Sequence, residues 1–216
     1  GLLQGAGIRI VTPSSRLAMP EISIGLFPDV GGSHFLSRLP GKLGLFFGLT
    51  ASPLNARDAL DLNLADRFLL DTQQDALIEG LVQLNWRDQP DLQLHSLLKA
   101  LEQQARGELP AAQWLPRRER IDALLDQATL PLSWQALASL ENDQDALLAK
   151  AAKTMLGGSP LTGHLVWEQI RRARHLSLAQ VFQMEYGMSL SCCRHPEFAE
   201  GCLLYTSDAA DDLLCV

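Results

Sequence analysis

The sequence predicts an α/β chain in which a short mixed region precedes a longer helical one. Two observations carry that reading. Near the start, Ile8-Arg9-Ile10-Val11-Thr12 alternates and is rich in β-branched residues, the pattern of a half-buried strand. Past Asp71 the apolar period lengthens from two to about 3.6, so that Leu94, Leu97, Leu98, Leu101 and Ala105 share one helical face.

Taken in order, Gly1 to Ala6 is small and apolar and reads as the tail of a buried helix. The strand at 8–12 ends at Pro13-Ser14-Ser15, which turns the chain. Arg16-Leu17-Ala18-Met19 reads as a second short strand stopped by Pro20. Gly31-Gly32 opens a helical segment reaching about Leu39 and closed by Pro40-Gly41. Lys42 to Thr50, dense in Leu and Phe, is a helix buried on several sides. Asn55 caps a third helix with Asp58 three residues on, and Ala65 to Leu70 returns to extended structure. In the second half, Ile121, Leu124, Leu125 and Ala128 form one helical face, and Leu147, Leu148, Ala151, Ala152, Met155 and Leu156 another. Gly107-Glu108-Leu109-Pro110 and Thr129-Leu130-Pro131-Leu132 are read as breaks between these helices. Ser159-Pro160 is a helix start, and Ser177 with Gln180 matches a capping box.

Composition narrows the function classes. With 216 residues, 47% of them hydrophobic and 20% charged, the chain can bury a sizeable core. No apolar run approaches the roughly 18 to 20 residues of a membrane span. A net charge of −7 and a pI near 5.2 leave no electrostatic footprint for nucleic acid or anionic lipid. Arg117, Arg118 and Arg120, beside Glu119 and Asp122, read as a solvated helix face. Cys192, Cys193, Cys202 and Cys215 show neither a disulfide framework nor zinc spacing, which points to a reducing, cytoplasmic setting. His34, His95, His164, His175 and His195 are scattered and have no ligand partner at helical spacing, so no metal is expected. The P-loop, G-x-G-x-x-G, H-E-x-x-H and G-x-S-x-G motifs are all missing. The chain opens on Gly1-Leu2-Leu3 without Met or a signal-type segment and is read as a piece of a longer protein.

The chemistry concentrates between Ala18 and Gly32. Here Glu21 and Asp29 stand among apolar residues, prolines and glycines. A carboxylate so placed loses hydration, and its proton affinity rises unless a partner compensates. That is a setting for acid/base or nucleophilic work. The residues alone leave a second reading open, in which both acids are turn residues bonded to their own backbone. Asp29 would then face the N–H groups at the start of the Gly31-Gly32 helix, an anion position worth about 0.3–1 kcal/mol.

The run Ala18-Met19-Pro20-Glu21-Ile22-Ser23-Ile24-Gly25-Leu26-Phe27-Pro28-Asp29-Val30-Gly31-Gly32, continued by Phe35 to Gly44 and Leu49-Thr50, resembles the enoyl-CoA hydratase/isomerase (crotonase) superfamily. Within it, the run is most similar to the 3-hydroxyisobutyryl-CoA hydrolase branch. Far downstream, Ser159-Pro160, Met184-Glu185-Tyr186 and Arg194-His195-Pro196-Glu197-Phe198-Ala199-Glu200-Gly201 resemble the C-terminal helices of the same branch.

The resemblance implies a crotonase-like repeated ββα core, present in part over residues 1–70, a helical region over 71–201 that closes the fold, and a tail over 202–216 outside the pattern. It implies hydrolysis of a short-chain hydroxyacyl-CoA thioester, as in valine degradation, with Glu21 and Asp29 as the catalytic acids. Gly1, Met19, Pro20, Leu26, Phe27 and Gly31 would border the substrate. The second glutamate of the hydratases falls at Gly1, which disfavours water addition across a double bond. Asp29 is itself a mark of the hydrolase branch. The oxyanion donors are expected before Gly1, so the chain by itself is expected to be inactive. No cofactor is implied, since coenzyme A is part of the substrate; the implied partner is the acyl-CoA, with a homo-oligomer possible. The alternatives are another hydratase/isomerase branch and a non-catalytic acyl-CoA-binding protein of the same fold.

Overall fold

The computed structural model describes residues 2–203, so Gly1 and the part of the 202–216 tail beyond Leu203 lie outside the described residues. In chain order the elements are α1 (Leu2–Gly5), β1 (Ile10–Val11), α2 (Gly32–Leu36), α3 (Leu43–Thr50), α4 (Ala56–Asp61), β2 (Arg67–Phe68), α5 (Gln74–Gln83), α6 (Pro90–Ala105), α7 (Arg118–Leu125), α8 (Leu130–Ala138), α9 (Ala146–Leu156), α10 (Pro160–Ala173) and α11 (Leu178–Cys193). A further helical stretch covers 196–203. The chain groups into two compact units, Leu2–Leu17 with Leu54–Pro116, and Ala18–Pro53 with the described residues from Arg117 onward.

In the unit that contains β1 and β2, the two strands pair in parallel, Ile10 opposite Arg67 and Val11 opposite Phe68. Both are shorter than the alternation suggests. The strand expected over 16–19 reduces to one antiparallel bridge, in which Leu17 and Leu54 exchange N–H···O bonds of 3.0 and 2.7 Å. Pro20, which follows two residues after Ala18, has no N–H with which to extend such a ladder. The Asn55 cap is as expected, with Asp58 N–H donating to its side chain at 2.9 Å and the reciprocal bond completing a capping box. Asp58 is fully buried and also accepts the N–H groups of Gln113 and Trp114 at 2.8 and 3.0 Å. Leu69, Leu98 and Leu101 form the core here, with Ile10, Leu77, Leu94 and Leu97 packed around them. Helix α1 departs from the buried tail expected at 1–6: Leu2 is 97% exposed and no α1 residue is buried. With four residues it covers little surface, and what holds it is polar, Gln4 Nε2 donating to the Leu64 carbonyl at 2.8 Å.

The other unit is built on α3. All eight of its residues are buried, which suits a helix apolar on every side, and it packs against α2, α7, α9 and α10. The break expected at 129–132 is instead a helix start. Thr129 is the N-cap and Pro131 lies in the first turn of α8, where a missing N–H leaves no helical bond unmade. Ser159 caps α10 by accepting the Thr162 N–H at 3.0 Å, and Ser177 and Gln180 form the capping box of α11. The basic cluster is indeed a solvated face, with Arg117, Arg118 and Arg120 paired to Asp145, Asp122 and Asp143. Cys192 and Cys193 are free thiols, while Cys215 lies outside the described residues.

Candidate active site

Glu21 lies in a 3-10 turn, Pro20–Ile24, that proline opens and Gly25 closes. Its carbonyl accepts the Leu26 N–H at 3.1 Å, and its side-chain Oε2 is buried with no hydrogen-bond partner. Removal from water pushes its carboxyl up to about 7, and the nearby charge of Asp29 acts in the same direction. Asp29 is half-buried at the head of a tight reversal in which Val30 and Gly31 both take left-handed backbone, φ 52° and 83°. Burial raises the Asp29 carboxyl above the ordinary carboxylate range, and the charge of Glu185 raises it further.

Asp29 is not the cap of α2. Its backbone carbonyl accepts the Gly32 N–H at 2.8 Å, but the side-chain acceptor at this helix start is Glu185 of α11. Glu185 Oε2 accepts the Gly31 N–H at 2.7 Å, and Oε1 accepts the Ser33 N–H at 2.9 Å and the Ser33 hydroxyl at 2.7 Å. Gln169 of α10 braces the other flank, its Nε2 donating to the Pro28 carbonyl at 2.7 Å and to Ser33 Oγ at 3.0 Å. No local pattern could assign this role to Glu185, which lies 154 residues from Gly31. Its only signal was its place in the downstream Met184-Glu185-Tyr186 segment.

Of the other expected residues, Pro20 starts the turn and is exposed, Met19 and Leu26 are half-buried, and Phe27 is fully buried. Gly31 is buried with its backbone beside Leu178 and Phe182, whose side chains would stand 3.7 and 3.6 Å from a Cβ there. Gly1 lies outside the described residues. The two distant resembling segments meet at this site, since the Ser159 N–H donates to the Ile22 carbonyl at 2.9 Å, one residue from Glu21. Among the described residues no group of three His, Cys, Asp or Glu side chains could hold a metal ion, and no helix is long and apolar enough to cross a membrane.

The arrangement is a series of three acids. Glu185 is pinned by three donors, Asp29 is partly wet, and Glu21 is dry on one oxygen. Raised proton affinity on Glu21, to about 7, lets it take up and release a proton near neutrality, and that of Asp29 is shifted in the same direction, as acid/base chemistry requires.

Known proteins place this chain in a family. The enoyl-CoA hydratase/isomerase family model matches residues 1–209. The chain is 34% identical to a mitochondrial 3-hydroxyisobutyryl-CoA hydrolase of Danio rerio, over 93% of this chain and 54% of that protein. It is 32% identical to 3-hydroxyisobutyryl-CoA hydrolase 1 of Arabidopsis thaliana, over 92% of this chain and 54% of that one. The chain thus spans about half the length of the curated relatives it matches. Among solved structures, a carnitinyl-CoA dehydratase from Mycobacterium thermoresistibile superposes with a TM-score of 0.81 at 30% identity, covering 95% of this chain and 56% of that one. With the acid-bearing run, its downstream braces and a family match over nearly its whole length, the chain belongs to the enoyl-CoA hydratase/isomerase family.

Proposed function

We propose that the protein carrying this chain hydrolyses a short-chain hydroxyacyl-CoA thioester, of the 3-hydroxyisobutyryl-CoA kind, to the free acid and CoA, as in valine degradation. The observation that carries the reading is Glu21, a carboxyl with a buried, unpartnered oxygen and a proton affinity raised to about 7 by burial. Such a group is a strong base or nucleophile once ionised, because no water has to be stripped from it. Relatives named 3-hydroxyisobutyryl-CoA hydrolase, at 34% and 32% identity, support the choice of thioester hydrolysis.

In the proposed reaction Glu21 acts on the thioester carbon, either attacking it, in which case a water then cleaves the resulting acyl anhydride and frees both the acid and the Glu21 carboxylate, or taking a proton from the water that attacks directly. The C–S bond breaks, its electron pair leaves with sulfur, and the CoA thiolate takes a proton. Asp29 serves this proton transfer or binds the substrate hydroxyl. The test supplies 3-hydroxyisobutyryl-CoA to the intact protein and follows free thiol. Glu21→Gln should lower the rate by a factor of about 100 or more. Unchanged release in the variant removes Glu21 from the mechanism.

A second reading, addition or removal of water at an unsaturated acyl-CoA, draws on the likeness to the carnitinyl-CoA dehydratase and to an enoyl-CoA hydratase from Rhodobacter sphaeroides 2.4.1, the latter with a TM-score of 0.65 at 29% identity over 86% of this chain and 49% of that one. Turnover of an unsaturated acyl-CoA without thiol release would favour it.

A further inference from the structure

Glu185 is 3% exposed, yet it is a carboxylate. Burying one is tolerated where donors replace its lost water, and the Gly31 N–H, the Ser33 N–H and the Ser33 hydroxyl do so here. A neutral amide has a single acceptor oxygen, whereas these donors fall on both oxygens of Glu185. A carboxylate brings negative charge as well, and both Asp29 and His34 feel it.

The geometry around Asp29 is tied on both sides. Upstream, the Pro28 carbonyl is held by Gln169; downstream, Gly31 and Ser33 are held by Glu185; and Gln169 joins the two ties by donating to Ser33 Oγ. Between them stands the left-handed pair Val30 and Gly31, a backbone that persists only where its surroundings enforce it.

We infer that Glu185 is a positioning residue of the site: gripping Gly31 and Ser33 from α11, it fixes the reversal that presents Asp29 to the substrate. The inference rests on the hydrolase reading above. Asp29 is faced by Glu185 from α11, and Glu21 in the 3-10 turn is faced by Asp29. Glu185 also faces His34 of α2, whose imidazole burial and Arg38 push down while Glu185 pulls it up.

The experiment has two arms. In the first, Glu185→Gln is assayed for thiol release in the intact protein. The expected result is kcat lower by about tenfold with KM within about twofold, and a pH profile moved to lower pH, because loss of a negative charge lets Asp29 and then Glu21 ionise earlier. Glu185→Asp should return the profile toward its original position. The second arm needs no substrate. Carbon-detected NMR titration of aspartate carboxyls should give a lower midpoint for Asp29 in Glu185→Gln, and a higher one in Ser33→Ala, where the Glu185 carboxylate is offset by one donor fewer. A wild-type protein that releases no thiol defeats the hydrolase reading, and the titration still decides the role of Glu185. Unmoved Asp29 midpoints in both variants, or a loss of kcat that follows folded fraction with the profile unchanged, overturn the inference.

Discussion

Gly201 presses on Ile24 backbone to backbone: a Cβ built on Gly201 would lie 2.5 Å from the Ile24 carbonyl oxygen. The helical stretch at 196–203 therefore packs directly on the end of the 3-10 turn that carries Glu21. Because the obstructing atom is main chain, it cannot rotate away as a side-chain tip would. Gly201→Ala should destabilise the protein by about 1–3 kcal/mol, as overpacking does, and lower kcat by displacing the turn. The urea midpoint and thiol release measure the two effects, and a midpoint equal to wild type would show that the stretch yields freely.

Glu21 also makes stability depend on pH. Burial raises its folded carboxyl from 4.5 to about 7, so the folded chain binds the proton more tightly than the unfolded chain across that interval. The stability this contributes is complete below about 4.5 and is lost as pH rises through about 7. Glu21→Gln, which stays neutral, should be more stable than wild type by on the order of 2 kcal/mol at about pH 8, with the gap closing near pH 4. Denaturation curves at both pH values check this, and a gap that widens toward acid would reverse the assignment.

How much of this site was legible in the sequence follows the range of the forces that build it. Helix starts were legible at Asn55 with Asp58, Ser159 with Pro160 and Ser177 with Gln180, because each cap is a bond between residues three apart or less. The strands at 8–12 and 16–19 were over-read, since their length depends on partners such as Arg67, Phe68 and Leu54 that alternation does not encode. Asp29 looked like the α2 cap because it stands nearby in sequence, whereas the acceptor is Glu185 across 152 residues from Ser33. Glu21 is visible as an acid in an apolar run, but the chain that packs on its turn lies more than a hundred residues downstream, where Gly158 and Gly201 meet Ile22 and Ile24.

Val30 holds a β-branched side chain at φ 52° and leaves it 54% exposed. Left-handed backbone at such a residue costs on the order of 1–3 kcal/mol and gains little from burial here. Val30→Gly removes the strain but adds freedom to the unfolded chain, so the net stabilisation should be about 1 kcal/mol. The same change loosens the reversal that carries Asp29, so kcat should fall while the melting temperature rises. A variant both more stable and equally fast would show that the strained reversal contributes nothing to the reaction.

Asp29 has two roles open to it, and a comparison of substrates separates them. Asn at this position keeps the shape and hydrogen-bonding reach of the side chain but gives up its charge and its acidic proton. If Asp29 grips the substrate hydroxyl, a hydroxyacyl-CoA should lose about tenfold more in kcat/KM in Asp29→Asn than the matching unsubstituted acyl-CoA, because only the first offers the group that the carboxylate binds. If Asp29 hands a proton to the departing thiolate, both substrates lose alike and the loss falls on kcat, since both leave the same CoA behind. Proton delivery carries its own signature, as adding a small acid such as formic acid should restore part of the rate in Asp29→Asn. Hydroxyl binding carries none, because a diffusible acid cannot replace a fixed grip on the acyl chain. The half-buried setting of Asp29, with Glu185 on one side and Glu21 on the other, favours the proton role, since both burial and neighbouring charge keep a proton on it closer to neutrality. Equal losses with rescue by formic acid are therefore the expected result, and a selective loss without rescue would move Asp29 to the substrate hydroxyl.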